Sequence, residues 1–209
     1  MAQITTGARR LLSVPRVYDA VQTALGAHRA REVLVADYLR PVPGQQLLDV
    51  GCGTGELFPH LPPGVRYVGF DLSPDYIRQA RDRYASRARF ECMDVADFKR
   101  GDAAEADVVV AVGLLHHLGD DQAHGLLRAI RSRLRAGGRL VTMDPTFLDR
   151  QPALATFMMK RDRGQNIRTP VQYAELTKGV FSGVACAVRE DLLRIPYSHC
   201  IMECTSRAS

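Results

Sequence analysis

Leu47-Leu-Asp-Val-Gly-Cys-Gly-Thr-Gly-Glu56 is an apolar run that carries an acid at Asp49 and then places glycine at every second position. It reads as a buried strand that breaks into a tight loop against a ligand, since glycine alone takes positive φ freely and lets backbone approach closely. The spacing separates two kinds of nucleotide site. A dinucleotide fingerprint has the form GxGxxG, with the third glycine making room for a helix whose start faces a pyrophosphate. Here Gly55 arrives one residue early and Glu56 follows it. Acids at Asp49 and Glu56 suit a cofactor bearing positive charge, which points away from NAD.

Working outward, Val65 to Phe70 predicts a second strand closed by Asp71, which lies 20 residues past Gly51. A carboxylate at that distance accepts hydrogen bonds from ribose hydroxyls, the alternative being a simple turn acid. Ser73-Pro74 opens a helix, serine as cap and proline at the first helical position. Ala88 to Met93 predicts a third strand that delivers Asp94, either as a ligand contact or as a helix cap. Ala106 to Val112 is continuously apolar, as a central strand covered on both faces should be. Gly113-Leu-Leu-His-His-Leu118 follows at its carboxyl end, where open parallel sheets bind ligands. A helix from Asp120 or Asp121 to Leu134, the turn Ala136-Gly-Gly138 and a strand Arg139 to Met143 lead to Asp144-Pro145.

The glycine loop, Asp71, Asp94, the Gly113 to His117 loop and Leu134-Arg-Ala-Gly-Gly-Arg-Leu-Val141 stand in the order of the class I S-adenosylmethionine (SAM) dependent methyltransferases. Over roughly positions 45 to 205 the chain resembles that family, and within it the small-molecule branch of the ubiquinone and menaquinone biosynthesis type. The resemblance implies an α/β fold: a Rossmann-like three-layer sandwich with a seven-stranded, mostly parallel sheet, an antiparallel C-terminal strand and N-terminal helices. It implies SAM as cofactor, S-adenosylhomocysteine as product, and a cofactor site from Asp49, Gly51, Cys52, Gly53, Gly55, Asp71, Leu72 and Gly113. Asp94 would meet the adenine amino group, with Met93 and Val95 flanking the ring.

The organisation expected is one domain. Residues 1–44 form a helical cap, 45–145 the cofactor-binding core, 146–168 a substrate lid, and 169–209 a terminal helix and strands. The cap places Leu11, Val14, Val17, Val21 and Leu25 at helical spacing, and a second helix is predicted from Ala27 to Leu39. Lying over the open edge of the cleft, the cap would bring Tyr18 and Gln22 to the cofactor; ordinary helix packing is the other reading of Tyr18. Thr169-Pro-Val-Gln172 is a capping box for a helix to about Lys178. Phe181 to Val188 and His199 to Thr205 predict an antiparallel pair of strands.

At 209 residues and 46% hydrophobic, the chain is long enough for one well-buried domain. No window approaches the ~18 apolar residues of a membrane span, so a cytoplasmic location is expected. Five cysteines without a CxxC pair suggest reduced thiols, and no metal site is expected. The net charge of +5 comes largely from arginines at helical spacing (Arg78, Arg81, Arg83, Arg87; Arg128, Arg131, Arg133, Arg135), read as solvated helix faces. Nucleic acid is therefore not the expected partner. The position after the fourth strand reads Gly113-Leu-Leu-His, without the Pro-Pro-aromatic motif of amino-methylating enzymes.

Methyl transfer from a sulfonium is an in-line displacement that needs mainly alignment and exclusion of water. A hydroxyl acceptor must also lose its proton, for which His116 or His117 is the candidate base and Asp144 the second candidate. The histidines could equally shape the loop or bind substrate. The function expected is methylation of a small molecule (secondary metabolite, quinone or sugar) at O, N or C. Arg150, Arg161, Arg163 and Arg168 in the lid hint at an acidic or phosphorylated substrate. The alternatives are an RNA or protein methyltransferase and a SAM-binding protein that transfers no methyl. Monomer and homodimer are both open.

Overall fold

β1 (Gln46–Val50) is buried along its whole length and lies between β2 (Arg66–Asp71) and β4 (Ala106–Val112), parallel to both. This is what an unbroken apolar run dictates: a strand without a polar face must be covered on both sides. The computed structural model describes residues 25–84, 86–94, 105–160 and 165–205. With β3 (Arg89–Cys92), β5 (Leu134–Pro145), β6 (Gly183–Arg189) and β7 (His199–Thr205), the sheet has the order β3-β2-β1-β4-β5-β7-β6. β7 runs antiparallel to both neighbours, so β6 points the same way as β1 to β5. The chain order reverses between β1 and β4, and their carboxyl ends flank the crevice where such sheets bind ligands.

Alternate residues of the central strands feed two cores. Leu48, Val50, Val109 and Ala111 pack on one face with Ala123, Leu126, Leu127 and Ile130 of a helix spanning Asp120–Arg131. Leu47, Val108 and Val110 pack on the other with Leu34, Leu39, Ile77 and Ala80. In chain order the helices are α1 (Ala27–Val33), α2 (Pro74–Tyr84), α3 (Asp120–Arg131), α4 (Ala153–Met159) and α5 (Pro170–Glu175). The arrangement is the Rossmann-like three-layer sandwich expected from the sequence.

Several boundaries differ from the sequence reading, each for a local reason. α1 continues as a π-helical turn over Leu34–Leu39, closed by Arg40 in the left-handed region (φ 41°), whose N–H reaches the Val35 carbonyl at 2.8 Å. β5 begins at Leu134 because Ala136-Gly-Gly138 makes a bulge in the strand rather than the turn before it. Its register jumps from Ala106↔Leu134 to Val108↔Arg139, and a Cβ on Gly138 would stand 3.0 Å from the carbonyl oxygens of Ala106 and Arg135. Ser73 caps α2 as expected, its Oγ accepting from the Tyr76 N–H at 3.3 Å. The Thr169 box closes both ways, Oγ1 accepting from Gln172 N–H at 3.3 Å and Gln172 Oε1 from Thr169 N–H at 2.9 Å. No helix among the described residues is long and apolar enough to cross a membrane.

Candidate active site

The glycine loop is assembled from β1, β2 and β3 together. Gly51 and Cys52 both donate to the Phe70 carbonyl (2.8 and 2.9 Å), and Gly53 donates to Asp71 Oδ2 at 2.9 Å. Asp71 Oδ1 takes the Ser73 N–H at 2.8 Å, so one carboxylate joins the loop to the start of α2. Burial raises the Asp71 pKa, opposed by the N–H groups of Ser73, Gly53 and Leu72. The three glycines do different work. A Cβ on Gly55 (φ 77°) would stand 2.8 Å from the Phe90 ring, so this position must be glycine for packing. A Cβ on Gly53 (φ 56°) would meet nothing within 4 Å, so among the described residues nothing packs on this face of the loop. On Gly51 (φ 80°) it would come 3.3 Å from the Leu114 side chain, so the loop after β4 is packed directly against this one.

Asp49 sits beneath the loop, 3% exposed, and accepts the Tyr67 hydroxyl proton at 2.6 Å. Leu47 pairs with Tyr67 and Asp49 with Gly69 in parallel register, which puts the acid and the phenol on one face of the sheet. Burial lifts the Asp49 carboxyl to about 7, with the Tyr67 hydrogen bond opposing and the charge of Asp71 adding. Tyr67 itself is pushed well up by burial and by Asp49, so it keeps its proton and remains the donor. Nothing local in the sequence marked Tyr67; the register supplies it. Glu56, by contrast, is ion-paired with Arg83 on α2 and offers less charge to a ligand than its sequence position suggested.

At the ends of β4 and β5 stands a His–Asp pair. Gly113 (φ 62°) turns the chain, donating to the Met143 carbonyl at 2.8 Å, and a short 3-10 helix over Leu115–His117 follows. His116, 5% exposed, places Nδ1 2.8 Å from Asp144 Oδ1, and its backbone N–H reaches the same oxygen at 3.1 Å. An acceptor shared in this way holds the proton on Nδ1 and leaves Nε2 with the lone pair. Asp144 Oδ2 is buried without a hydrogen-bond partner among the described residues. The His117 ring lies against that of His116, with centroids 4.1 Å apart and planes at 38°. His117 is less buried than His116.

Sequence reasoning missed what fixes this loop. Arg168, 7% exposed, donates to the carbonyls of Leu115 (3.0 Å), Leu118 (2.8 Å) and Asn166 (3.0 Å) and to Asp120 Oδ1 (2.7 Å). Asn166 N–H adds a bond to the His116 carbonyl at 2.9 Å. Arg168 is thus a buried clamp on the histidine loop, and the sequence reading of it as a lid arginine facing an acidic substrate is corrected. Five fixed donors on a planar group suit this task, and lysine would not.

The residues singled out from the sequence converge on one edge. Asp49, Gly51, Cys52, Gly53 and Gly55 close β1; Asp71 and the exposed Leu72 close β2; Met93 and Asp94 follow β3; Gly113, His116 and His117 follow β4, and Asp144 ends β5. Tyr18, Gln22 and Val95 lie outside the described residues, as do Arg161 and Arg163.

A doubly wound sheet with a glycine loop tied to Asp71 after β2 and a His–Asp pair at the ends of β4 and β5 defines an α/β protein whose ligand crevice lies at the switch point. Residues 47–138 match the family described as a methyltransferase domain. It is 33% identical over 127 residues to the O-methyltransferase cnsE of Penicillium expansum, covering 57% of this chain and 44% of that protein. It is 36% identical over 108 residues to the 27-O-demethylrifamycin SV methyltransferase of Amycolatopsis mediterranei, covering 48% and 39%. The chain therefore spans less than half the length of these two relatives. In fold it is similar to human N-acetylserotonin methyltransferase in complex with SAM, with a TM-score of 0.70 at 21% identity over 93% of this chain and 56% of that one. Asp71, bonded to the loop at Gly53, where a Cβ would meet nothing within 4 Å among the described residues, fits a nucleoside such as the SAM in complex with that neighbour.

Proposed function

We propose that the chain transfers a methyl group from SAM to a small-molecule acceptor, with a hydroxyl oxygen the acceptor that the His116–Asp144 pair best serves. The observation that carries this reading is the pair itself: a buried imidazole with Nδ1 committed to Asp144, packed through Leu114 against the glycine loop. The cofactor supplies an electrophilic methyl carbon on a sulfonium. Asp71 would hold the ribose, since a carboxylate has about four lone-pair sites and the N–H groups of Gly53, Leu72 and Ser73 use three of them. A positive cofactor would draw the Asp49 carboxyl, lifted to about 7 by burial, toward its charged form beneath the loop, and Met93, Asp94 and Leu72 would border the base. His116 Nε2 would take the hydroxyl proton while Asp144 balances the imidazolium, with His117 stacked alongside as a substrate contact.

Residues 146–168 are proposed as the lid. The two ends of this segment are tied: Thr146 bridges Arg168, and Thr146 Oγ1 donates to the Arg168 carbonyl at 2.8 Å. Between them α4 exposes Leu154 (58%) and Phe157 (51%), three residues apart on one face. Exposed apolar side chains on the proposed lid favour an apolar acceptor such as an aromatic or polyketide-like alcohol.

The test is turnover at saturating SAM over a panel of phenols and aliphatic alcohols, comparing the parent chain with His116→Ala, His117→Ala and Asp144→Asn. Circular dichroism checks the fold of each. Loss of about 10²-fold or more in kcat is expected for His116→Ala, with a smaller loss for His117→Ala expressed mainly in KM. Undiminished kcat in both histidine variants would remove the base from the mechanism.

A further inference from the structure

We propose that His28, Glu32 and His60 form a divalent-cation site of the zinc type, outside the methyl-transfer cleft. His28 and Glu32 stand four apart on α1, hence on one helix face, with Nδ1 and Oε1 3.3 Å apart. His60 ends the 3-10 turn Phe58–His60 that follows the glycine loop. Its ring meets that of His28 edge-on, with centroids 4.3 Å apart and planes at 74°. One ligand atom from each of the three residues lies within 4.8 Å of the others. Tetrahedral zinc with bonds of about 2.0–2.1 Å to nitrogen and oxygen requires donor–donor edges of about 3.4 Å. The His28–Glu32 edge has that length already, and closing the others needs only side-chain rotation at an accessible surface.

The donor set decides the class of ion. Two imidazoles and one carboxylate suit zinc and its late transition-metal neighbours; magnesium and calcium take oxygen ligands and would be poorly held. Three protein ligands leave a fourth position for water or an added ligand. A cavity of about 480 Å³ opens beside two of the three ligands, lined by His28, Glu32, Asp191 and Arg194 among others but not by His60. Arg194 N–H donates to the Leu25 carbonyl at 2.9 Å, so the segment after β6 fixes the start of α1 from the other side. A bound ion would staple the start of α1 to the turn just past the glycine loop, joining elements that come from distant parts of the chain.

Metal content is measured by equilibrium dialysis of the full chain, stripped with chelator, against zinc and separately against magnesium. One zinc per chain is expected with micromolar or tighter affinity, weakened at least tenfold by His28→Ala, Glu32→Gln or His60→Ala. Zinc should raise the melting temperature of the parent chain and leave that of His28→Ala/His60→Ala unchanged. Cys186→Ser controls for the competing thiols, since Cys186 and Cys200 place their sulfurs 2.8 Å apart; it should bind zinc like the parent. Absence of zinc binding, binding undiminished in the double histidine variant, or binding lost only in Cys186→Ser would each overturn the proposal. The readout is metal content and does not depend on methyl transfer.

Discussion

The two walls of the cleft are built by opposite means. The wall at β1 and β2 is written locally: three glycines, an acid before them and an acid at the end of the next strand, joined by backbone hydrogen bonds over fewer than thirty residues. The wall at β4 and β5 depends on a distant segment, because the histidine loop is pinned by Arg168 and Asn166 some fifty residues further on. Local construction produces a motif that can be read. Distant construction produces a loop whose residues can be read but whose rigidity cannot.

That contrast orders the expected effects. Arg168→Ala strands the carbonyls of Leu115, Leu118 and Asn166 in a buried setting and should cost about 3–5 kcal/mol of stability by denaturant unfolding. Arg168→Lys should recover only part, since it cannot reach all four partners. A cost below about 1 kcal/mol would show that the histidine loop stands without its clamp.

On the glycine wall, Gly55→Ala forces a Cβ to 2.8 Å from Phe90 at a positive φ and should cost about 1–3 kcal/mol. Gly53→Ala has positive φ but free space, so its stability cost should be about 1 kcal/mol while cofactor affinity falls more than for any other single glycine. Equal stability costs at the two positions would erase the distinction between a packing glycine and a ligand-facing one.

Asp49 sharpens the comparison through pH. Its folded-state pKa of about 7 lies above the usual carboxylate value near 3.9, so the folded chain holds a proton that the unfolded chain releases. Its contribution to stability is complete below about pH 4 and is lost as pH rises to about 7, with a slope of at most about 1.4 kcal/mol per pH unit. Asp49→Asn should flatten the profile over that window. At the small end, Arg78→Ala removes an exposed pair with Asp75 and should change stability by less than about 0.5 kcal/mol.

Much of the fold could be read because its signals are short-range. The β1 run, the Ser73-Pro74 start, the Thr169 capping box and the β7 strand all lie where composition and spacing put them. Boundaries slipped where backbone irregularity intervened, at the π turn after α1 and the Gly137-Gly138 bulge in β5. Within the site, His116 and Asp144 were legible as separate candidates, but their bond spans 28 residues and shows only in the sheet. Tyr67 follows from parallel register, and Arg168 from tertiary burial of a charge that sequence places in the lid. His28 and Glu32 have readable spacing, whereas His60 joins them only after the chain has passed through β1.

The central claim is that the backbone from Asp49 to Gly55, held by Asp71, receives an adenosyl-sulfur compound. Calorimetric titration of the parent chain with S-adenosylhomocysteine should give micromolar binding, weakened at least tenfold, or about 1.4 kcal/mol, in Asp71→Ala. Absence of binding to the parent chain together with uptake of a nicotinamide or flavin dinucleotide would contradict it.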